Sequence, residues 1–151
     1  MIRPAAEGDV PEIVAMIHEL AAFENLSDHV KITEEDLFSV LFGPEAMAFD
    51  FVIDEVGGDG QRGGGLVGHA LWYRTFSTFL GRSGIWLEDL YVRPEHRRQG
   101  YGSLLLAHLR GLTGGRLEWD VLEWNEPAID LYQRLGARPM AGWTRYRWFD
   151  G

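Results

Sequence analysis

The stretch "GIWLEDLYVRPEHRRQGYG", Gly84–Gly102, carries the information that decides the fold. It starts as a strand, because Ile85 and Leu87 are two residues apart, but Leu90 follows Leu87 by three. Strand side chains alternate between faces with a period of two, so one register cannot fit the whole stretch. The interruption falls on Glu88-Asp89, and the strand then runs into a turn rich in arginine and glycine.

That turn, "RRQGYG" at Arg97–Gly102, lies between a predicted strand and a predicted helix. Main-chain amides at a helix N-terminus favour anions, and glycines let a phosphate approach the main chain closely. The spacing is not that of a dinucleotide site, which needs three glycines as G-x-G-x-x-G. A plain turn is the alternative, but the arginines and the strand–helix context favour an anion site.

The rest of the sequence predicts a mixed α/β sheet with crossover helices late in the chain, as a single domain over residues 1–151. A glycine-rich run, Gly57 to Gly65, is interpreted as a flexible hairpin loop. The predicted strands are Ile2 to Ala5, Ala48 to Val56, Leu66 to Thr75, Ile85 to Val92, Arg116 to Leu122, and one or two within Ala137 to Phe149. The predicted helices run from Asp9 as N-cap through Ala21, from Thr33 to about Leu41, through Leu104 to Leu112 with closure at Gly114-Gly115, and from Asn125 to Gly136.

Composition excludes several classes of protein. The 151 residues are 46% hydrophobic and 13% aromatic, which is typical of a globular protein. A net charge of −9 disfavours a nucleic-acid binder, and an acidic field attracts small cations, although solubility alone would also explain it. There are no cysteines, the histidines lack metal-ligand spacing, and neither a signal peptide nor an apolar run of about 18 residues is apparent, so we expect a cytoplasmic protein without a metal.

The sequence resembles the GNAT acetyltransferases. "VRPEHRRQGYGSLLL", Val92 to Leu106, is similar to the family's cofactor motif, with Arg97, Gly100 and Gly102 at the key positions. The tracts "IRPA", "ELAAFE", "LEDLYV" and "EWNEPAIDLYQRLGA" narrow the resemblance to the diamine (spermidine/spermine) N-acetyltransferase branch. The resemblance covers essentially the whole chain.

The resemblance implies a bulge at Glu88-Asp89, with this strand splayed from the next to form a slot for acetyl-CoA. The Leu90 amide would face the thioester oxygen, and the amides from about Gln99 to Gly102 would hold the pyrophosphate. The implied cofactor-binding residues are Leu90, Tyr91, Val92, Arg97, Arg98, Gln99, Gly100, Tyr101, Gly102, Ser103, Asn125 and Arg134.

Acidic residues point to the acceptor. Only about one part in a thousand of an alkylamine is neutral at pH 7, so a carboxylate is needed to fix the ammonium and take its proton. By resemblance Glu88 is the candidate base, and Asp89, Glu24 and Phe23 line the amine pocket. The alternatives are that Glu88 and Asp89 are solvated and that the first helix frays before Glu24.

Tyr132 lies on the apolar face of its predicted helix, where the pattern by itself favours a core tyrosine. The resemblance instead makes Tyr132 the catalytic acid that protonates the departing CoA thiolate, as a phenol with a pKa near 10 can.

Two departures put the long polyamines in doubt. Phe23 stands where polyamine enzymes of the branch tend to have tyrosine, and only Arg138–Ala141 stands where they have a longer segment with acidic residues. The sequence therefore predicts direct transfer from acetyl-CoA to a small primary amine (diamine, polyamine or lysine-like), by a homodimer as the branch implies. A protein lysine or N-terminal acetyltransferase and a non-catalytic acyl-CoA-binding module are the alternatives.

Overall fold

A computed structural model describes residues 1–150 of the chain. The chain divides into two compact units, Met1–Asp120 and a second one that begins at Val121. The expectation of one domain over residues 1–151 stays a prediction.

The first unit is built on a mixed sheet, as predicted, and this sheet has five strands. Its strands lie in the order β1-β2-β3-β4-β5, antiparallel except for the parallel β4–β5 pair. A parallel pair needs a crossover, which helix α3 supplies. The strands are β1 Ile2–Pro4, β2 Phe49–Val56, β3 Arg62–Ser77, β4 Arg82–Val92 and β5 Leu117–Glu118, and the helices are α1 Val10–Phe23, α2 Glu34–Phe42 and α3 Tyr101–Arg110.

Helices cover both faces of this sheet. On one side, here called the α1 face, Leu71 of β3 and Tyr91 of β4 join the core with Ile13 and Met16 of α1 and Leu37 of α2. On the opposite side the ring of Phe51 meets His108 of α3 edge-on at 4.5 Å. The α1 face matters for function, because it also carries the buried polar residues.

The helix starts follow the predicted capping signals only in part. Thr33 and Asp36 form the predicted capping box of α2, with Asp36 N–H donating to Thr33 Oγ1 at 3.1 Å and Thr33 N–H donating to Asp36 Oδ2 at 3.0 Å. Asp9 occupies the N-cap of α1, but no side-chain cap forms there among the described residues. The Asp9 carboxylate instead pairs with the Arg3 guanidinium at 2.7 Å and accepts a hydrogen bond from the Ala6 N–H.

The glycine-rich hairpin is more regular than predicted. Arg62 to Gly65 belong to β3, because the main-chain pairing of β3 with β2 continues as far as Arg62, which lies opposite Val56. Such pairing uses main-chain groups only, so glycines can take part in it. Only residues 57–61 remain outside the strands.

Helix α3 ends at Gly111 rather than at Gly114-Gly115. The chain turns there to approach the start of β4, where Thr113 Oγ1 donates to the Ser83 carbonyl at 3.1 Å. A side chain at Gly115 would overlap that same carbonyl oxygen, so a close approach of the two segments requires glycine.

The second unit contains one helix, α4 Glu126–Arg134, as predicted from Asn125, Pro127 and Gly136. Two other expectations were wrong. The strand predicted over Arg116 to Leu122 is confined to Leu117–Glu118, and no strand forms within residues 137–150. A strand requires main-chain groups of a neighbouring strand, and aromatic composition alone does not provide them.

Candidate functional site

Strand β4 contains a bulge at the position where the apolar spacing breaks. Leu71 of β3 pairs with Asp89 and the next residue, Trp72, pairs with Leu87, so Glu88 is the extra residue. Cross-strand partners share a face, which puts Asp89 with Leu71 on the α1 face. Glu88 lies on that face too, because it is one residue past Leu87, which faces the other way. The bulge therefore places adjacent carboxylates on one side of the sheet.

The extra residue also shifts the alternation of the main-chain amides by one position along β4. The Ile85 N–H donates to Arg116 on the β5 side at 2.8 Å, whereas the Arg93 N–H donates to Val67 of β3 at 2.9 Å. Successive residues of a strand direct their amides to alternate sides, so the Leu90 N–H points away from β3. Strand β5 pairs with β4 only at Ile85 and Trp86. The Leu90 amide thus faces the side of β4 on which β5 no longer pairs with it.

Glu88 and Asp89 differ in their surroundings. The Glu88 side chain is exposed, and the indole Nε1–H of Trp86 donates to its Oε2 at 2.9 Å. Asp89 is half-buried, and burial raises the pKa of its carboxyl. Glu88 and Asp50 raise that pKa further, while His69 opposes them.

Glu24 reaches the same region from α1. It is the C-cap residue, and its N–H donates to Leu20 at 2.9 Å, so the helix does not fray before it. Burial raises the pKa of the Glu24 carboxyl, and the Asp89 carboxylate raises it further. Glu88 and Asp89 therefore lie side by side on the α1 face, and Glu24 at the end of α1 interacts electrostatically with Asp89. A cation would stabilise such a group of acids.

The turn from Arg97 to Gly102 has the geometry of an anion site. Arg98 and Gly100 adopt left-handed conformations with φ of 62° and 82°, and Gly100 opens α3 without a side-chain cap from residues 1–150. The first N–H groups of a helix have no intrahelical partner, and a Cβ at Gly100 would meet no atom within 4 Å. Arg97 is folded onto its own turn, with Nε donating to the Val92 carbonyl at 2.9 Å and the guanidinium 5.2 Å from the Phe23 ring centre. Amides, rather than the Arg97 side chain, are therefore the groups most open to a phosphate.

The second unit holds three of the predicted residues: Asn125 is the N-cap of α4, and Tyr132 and Arg134 lie on that helix. The helix ends in a Schellman motif, in which Ala137 N–H donates to the Tyr132 carbonyl and Gly136 N–H to Gln133, both at 3.0 Å. Gly136 has the left-handed φ of 89° that this motif needs. The roles assigned to these three side chains stay predictions.

Sequence reasoning missed one buried pair on the α1 face. His69 Nδ1 lies 2.8 Å from Asp50 Oδ2, and both side chains are fully buried. The available signal was a polar residue within an apolar tract of each strand, Asp50 between Phe49 and Phe51 and His69 between Gly68 and Ala70. Their pairing depends on strand register, which that signal does not contain.

Within residues 1–150, no cluster of His, Cys, Asp and Glu has an arrangement that could hold a metal ion. None of the helices described there is long and apolar enough to cross a membrane.

The chain belongs to the GNAT acetyltransferases: residues 15–137 match the Acetyltransferase (GNAT) family. It is 42% identical over 161 residues to a thialysine N-epsilon-acetyltransferase of Sus scrofa, covering 100% of this chain and 92% of that protein. It is 34% identical over 154 residues to the human spermidine/spermine N(1)-acetyltransferase-like protein 1, covering 97% of this chain and 22% of that one. These relatives are consistent with the diamine branch.

A solved structure supports the fold. An integron cassette protein from the mobile metagenome of V. cholerae superposes with a TM-score of 0.76 at 21% identity, covering 100% of this chain and 92% of that one. The protein is therefore a GNAT-fold enzyme of the acetyltransferase class, a family that uses acetyl-CoA as cosubstrate. The uncapped amides at Gly100 and the Leu90 amide on the unpaired side of β4 suit a ligand with phosphates and a thioester carbonyl.

Proposed function

We propose that this enzyme acetylates the primary amine of a small cationic substrate, and that a lysine-like amino acid or a short diamine is preferred to spermine. The observation that carries the proposal is the convergence of Glu24, Glu88 and Asp89 at the bulge of β4. Three acids near one point suit the ammonium group of an amine. The similarity to a thialysine N-epsilon-acetyltransferase supports an acceptor with a lysine-like side chain.

The chemistry assigned to the chain has four parts. Asp89 and Glu24 bind the ammonium, and Glu88, held at one oxygen by Trp86, accepts its proton directly or through water. The Leu90 N–H donates to the thioester carbonyl oxygen as negative charge develops there. The amine nitrogen forms the new bond to the carbonyl carbon, the carbon–sulfur bond breaks, and Tyr132 donates a proton to the sulfur. Acetyl-CoA supplies the acetyl group, and no acyl-enzyme is needed.

The substrate preference follows from where the acids lie. They surround the nitrogen that reacts, and Phe23 provides a ring rather than a hydroxyl at the end of α1. The short segment Arg138–Ala141 replaces the longer acidic segment expected of polyamine enzymes. A site of this kind recognises its substrate mainly at the amine that reacts.

A panel of amines tests the substrate class by CoA release and product mass. Lysine, thialysine, propanediamine and putrescine should show higher kcat/KM than spermine, with spermidine between them. A preference for spermine of more than about tenfold, or roughly 1.4 kcal/mol in transition-state binding, would contradict the proposal. Acetylation of peptides but of no free amine would identify a protein acetyltransferase instead.

The cofactor turn gives a prediction with a matched control. Gly100→Val should weaken acetyl-CoA binding at least tenfold in calorimetry, because a branched side chain strains the left-handed turn and obstructs its amides. Gly81→Val is the control: Gly81 also has a left-handed φ, of 63°, and no atom within 4 Å of a Cβ, but lies in the β3–β4 turn. Equal acetyl-CoA affinity in the two folded variants would exclude the turn as the phosphate site.

The resemblance also supports a homodimer whose site takes residues from the partner. Light scattering coupled to size exclusion measures the mass directly, and a mass near the 17.1 kDa of one chain at assay concentration would contradict it.

A further inference from the structure

The buried pair of Asp50 and His69 has no role in the chemistry assigned so far. Both side chains are fully shielded, and His69 Nε2 and Asp50 Oδ1 find no hydrogen-bond partner among residues 1–150. Burying an ionisable pair is costly, and apolar residues of similar volume often give equal or greater stability. A gain in stability therefore does not explain why this pair is present. Its position next to the proposed site suggests a role there.

Strand register places His69 between two carboxylates on the α1 face. On one side, Asp50 of β2 lies with its Oδ2 2.8 Å from His69 Nδ1. On β4, Tyr91 pairs with His69 and Asp89 pairs with Leu71, so Asp89 is the diagonal neighbour of His69 on the same face. His69 thus lies between the buried Asp50 and the acid proposed to bind the substrate.

The other charged groups around His69 define its electrostatic surroundings. Arg93, just after β4, opposes a positive charge on His69, but Glu12 and Glu19 of α1 bind Arg93 at 2.6 and 3.2 Å. Burial raises the pKa of the Asp50 carboxyl and Asp9, itself paired with Arg3, adds to this, whereas the charge and hydrogen bond of His69 oppose it and keep the proton on the imidazole. The charges of Glu24 and Asp89 also interact, from the end of α1. Negative charges therefore dominate around the imidazole.

The balance of these effects favours an imidazolium. Burial lowers the pKa of His69, but the charge and hydrogen bond of Asp50 and the charge of Asp89 outweigh burial, so the pKa is raised above its ordinary value. In return, the charge of His69 lowers the pKa of Asp89 and so opposes the effect of burial, which raises it.

We propose that His69 is a positioning residue: its imidazolium, held in place by Asp50, is the internal counter-charge of Asp89 and sets the pH range in which the enzyme accepts a cationic amine. This rests on the proposed function of Asp89 as the ammonium ligand. With His69 charged, Asp89 stays ionised to lower pH. With a neutral residue there, burial and the neighbouring acids protonate Asp89 at higher pH, and the ammonium loses its partner.

The first test is an NMR titration of the histidine side-chain nitrogens in the whole protein, which requires no substrate and no change at His69. His69 should titrate above the ordinary pKa of a histidine. Asp89→Asn and Asp50→Asn should each lower its midpoint by about one pH unit, since an opposite charge favours the charged form by that order. A His69 that is neutral at pH 7, or unmoved by Asp89→Asn, would overturn the inference.

The second test is the pH profile of kcat/KM. His69→Gln keeps a donor for Asp50 but removes the charge, and should move the acidic limb for a lysine-like amine upward by about one pH unit. His18→Gln, an exposed change on α1, is the control. A loss of kcat/KM by His69→Gln that is equal at every pH would mean a purely structural role and contradict the inference.

The two tests separate this inference from the proposed function. If the wild-type enzyme acetylates no free amine, the proposed function fails, while the NMR titration still decides whether His69 and Asp89 share charge. If amines are acetylated but neither the titration nor the profile responds, only the inference fails.

Discussion

Tyr132→Phe is expected to lower kcat by about 10² to 10⁴ while leaving the fold intact. The change keeps the aromatic ring and removes only the hydroxyl that we propose as the proton donor to the CoA sulfur. An alkyl thiolate leaves more readily when it is protonated as the carbon–sulfur bond breaks, so the loss should appear in kcat more than in KM.

Tyr146→Phe is the matched control for Tyr132→Phe, because it deletes one phenolic hydroxyl elsewhere in the second unit. Steady-state CoA release at saturating acetyl-CoA, with thermal melting of both variants, separates catalysis from stability. If Tyr132→Phe keeps kcat within about twofold of the parent, the Tyr132 hydroxyl is not the proton donor.

Asp89→Asn is expected to lower kcat/KM by about 30-fold or more for a diamine or lysine-like amine. The amide has the same shape but no charge, and truncating one partner of a buried charge pair typically costs 2 to 5 kcal/mol. An amino alcohol of the same length as the diamine carries one ammonium instead of two. The amino alcohol keeps the ammonium that reacts, which is the one that Asp89 is proposed to bind, so its loss should be of similar size.

Glu88→Gln provides the comparison for Asp89→Asn. If Glu88 is the base, its removal lowers kcat for the diamine and the amino alcohol alike, since both must lose a proton. A loss in Asp89→Asn for the diamine alone would show that Asp89 binds the distant ammonium and not the nitrogen that reacts. An unchanged kcat/KM for both substrates would remove the main support for a cationic acceptor.

The central part of the fold was predictable because its signals are local. The three-residue step from Leu87 to Leu90 located the bulge, because two residues three apart share a face of a strand only when one extra residue lies between them. The capping box at Thr33 and the Asn125, Pro127 and Gly136 pattern located helix ends for the same reason, since caps are made within one turn.

The parts that failed depend on partners that the sequence does not reveal. Residues 137–149 have strand-like composition, yet a strand exists only where another main chain offers hydrogen bonds. Arg62 to Gly65 have loop-like composition, yet they pair with β2. The Asp50–His69 pair joins positions 19 residues apart, and only the register of β2 against β3 brings them together.

The bulge in β4 also limits how this region can change in evolution. Glu88 is the extra residue opposite the step from Leu71 to Trp72, so deleting it would restore regular pairing and keep Asp89 and Tyr91 on the faces they occupy now. The strand would nevertheless lose the carboxylate beside Asp89, which is the proposed base, and the local bend that a bulge gives a strand. Substitutions here alter one side chain at a time, whereas a one-residue gap would remove an acid and the bend together. Chain length across this strand should therefore vary less among active relatives than the identity of its individual residues.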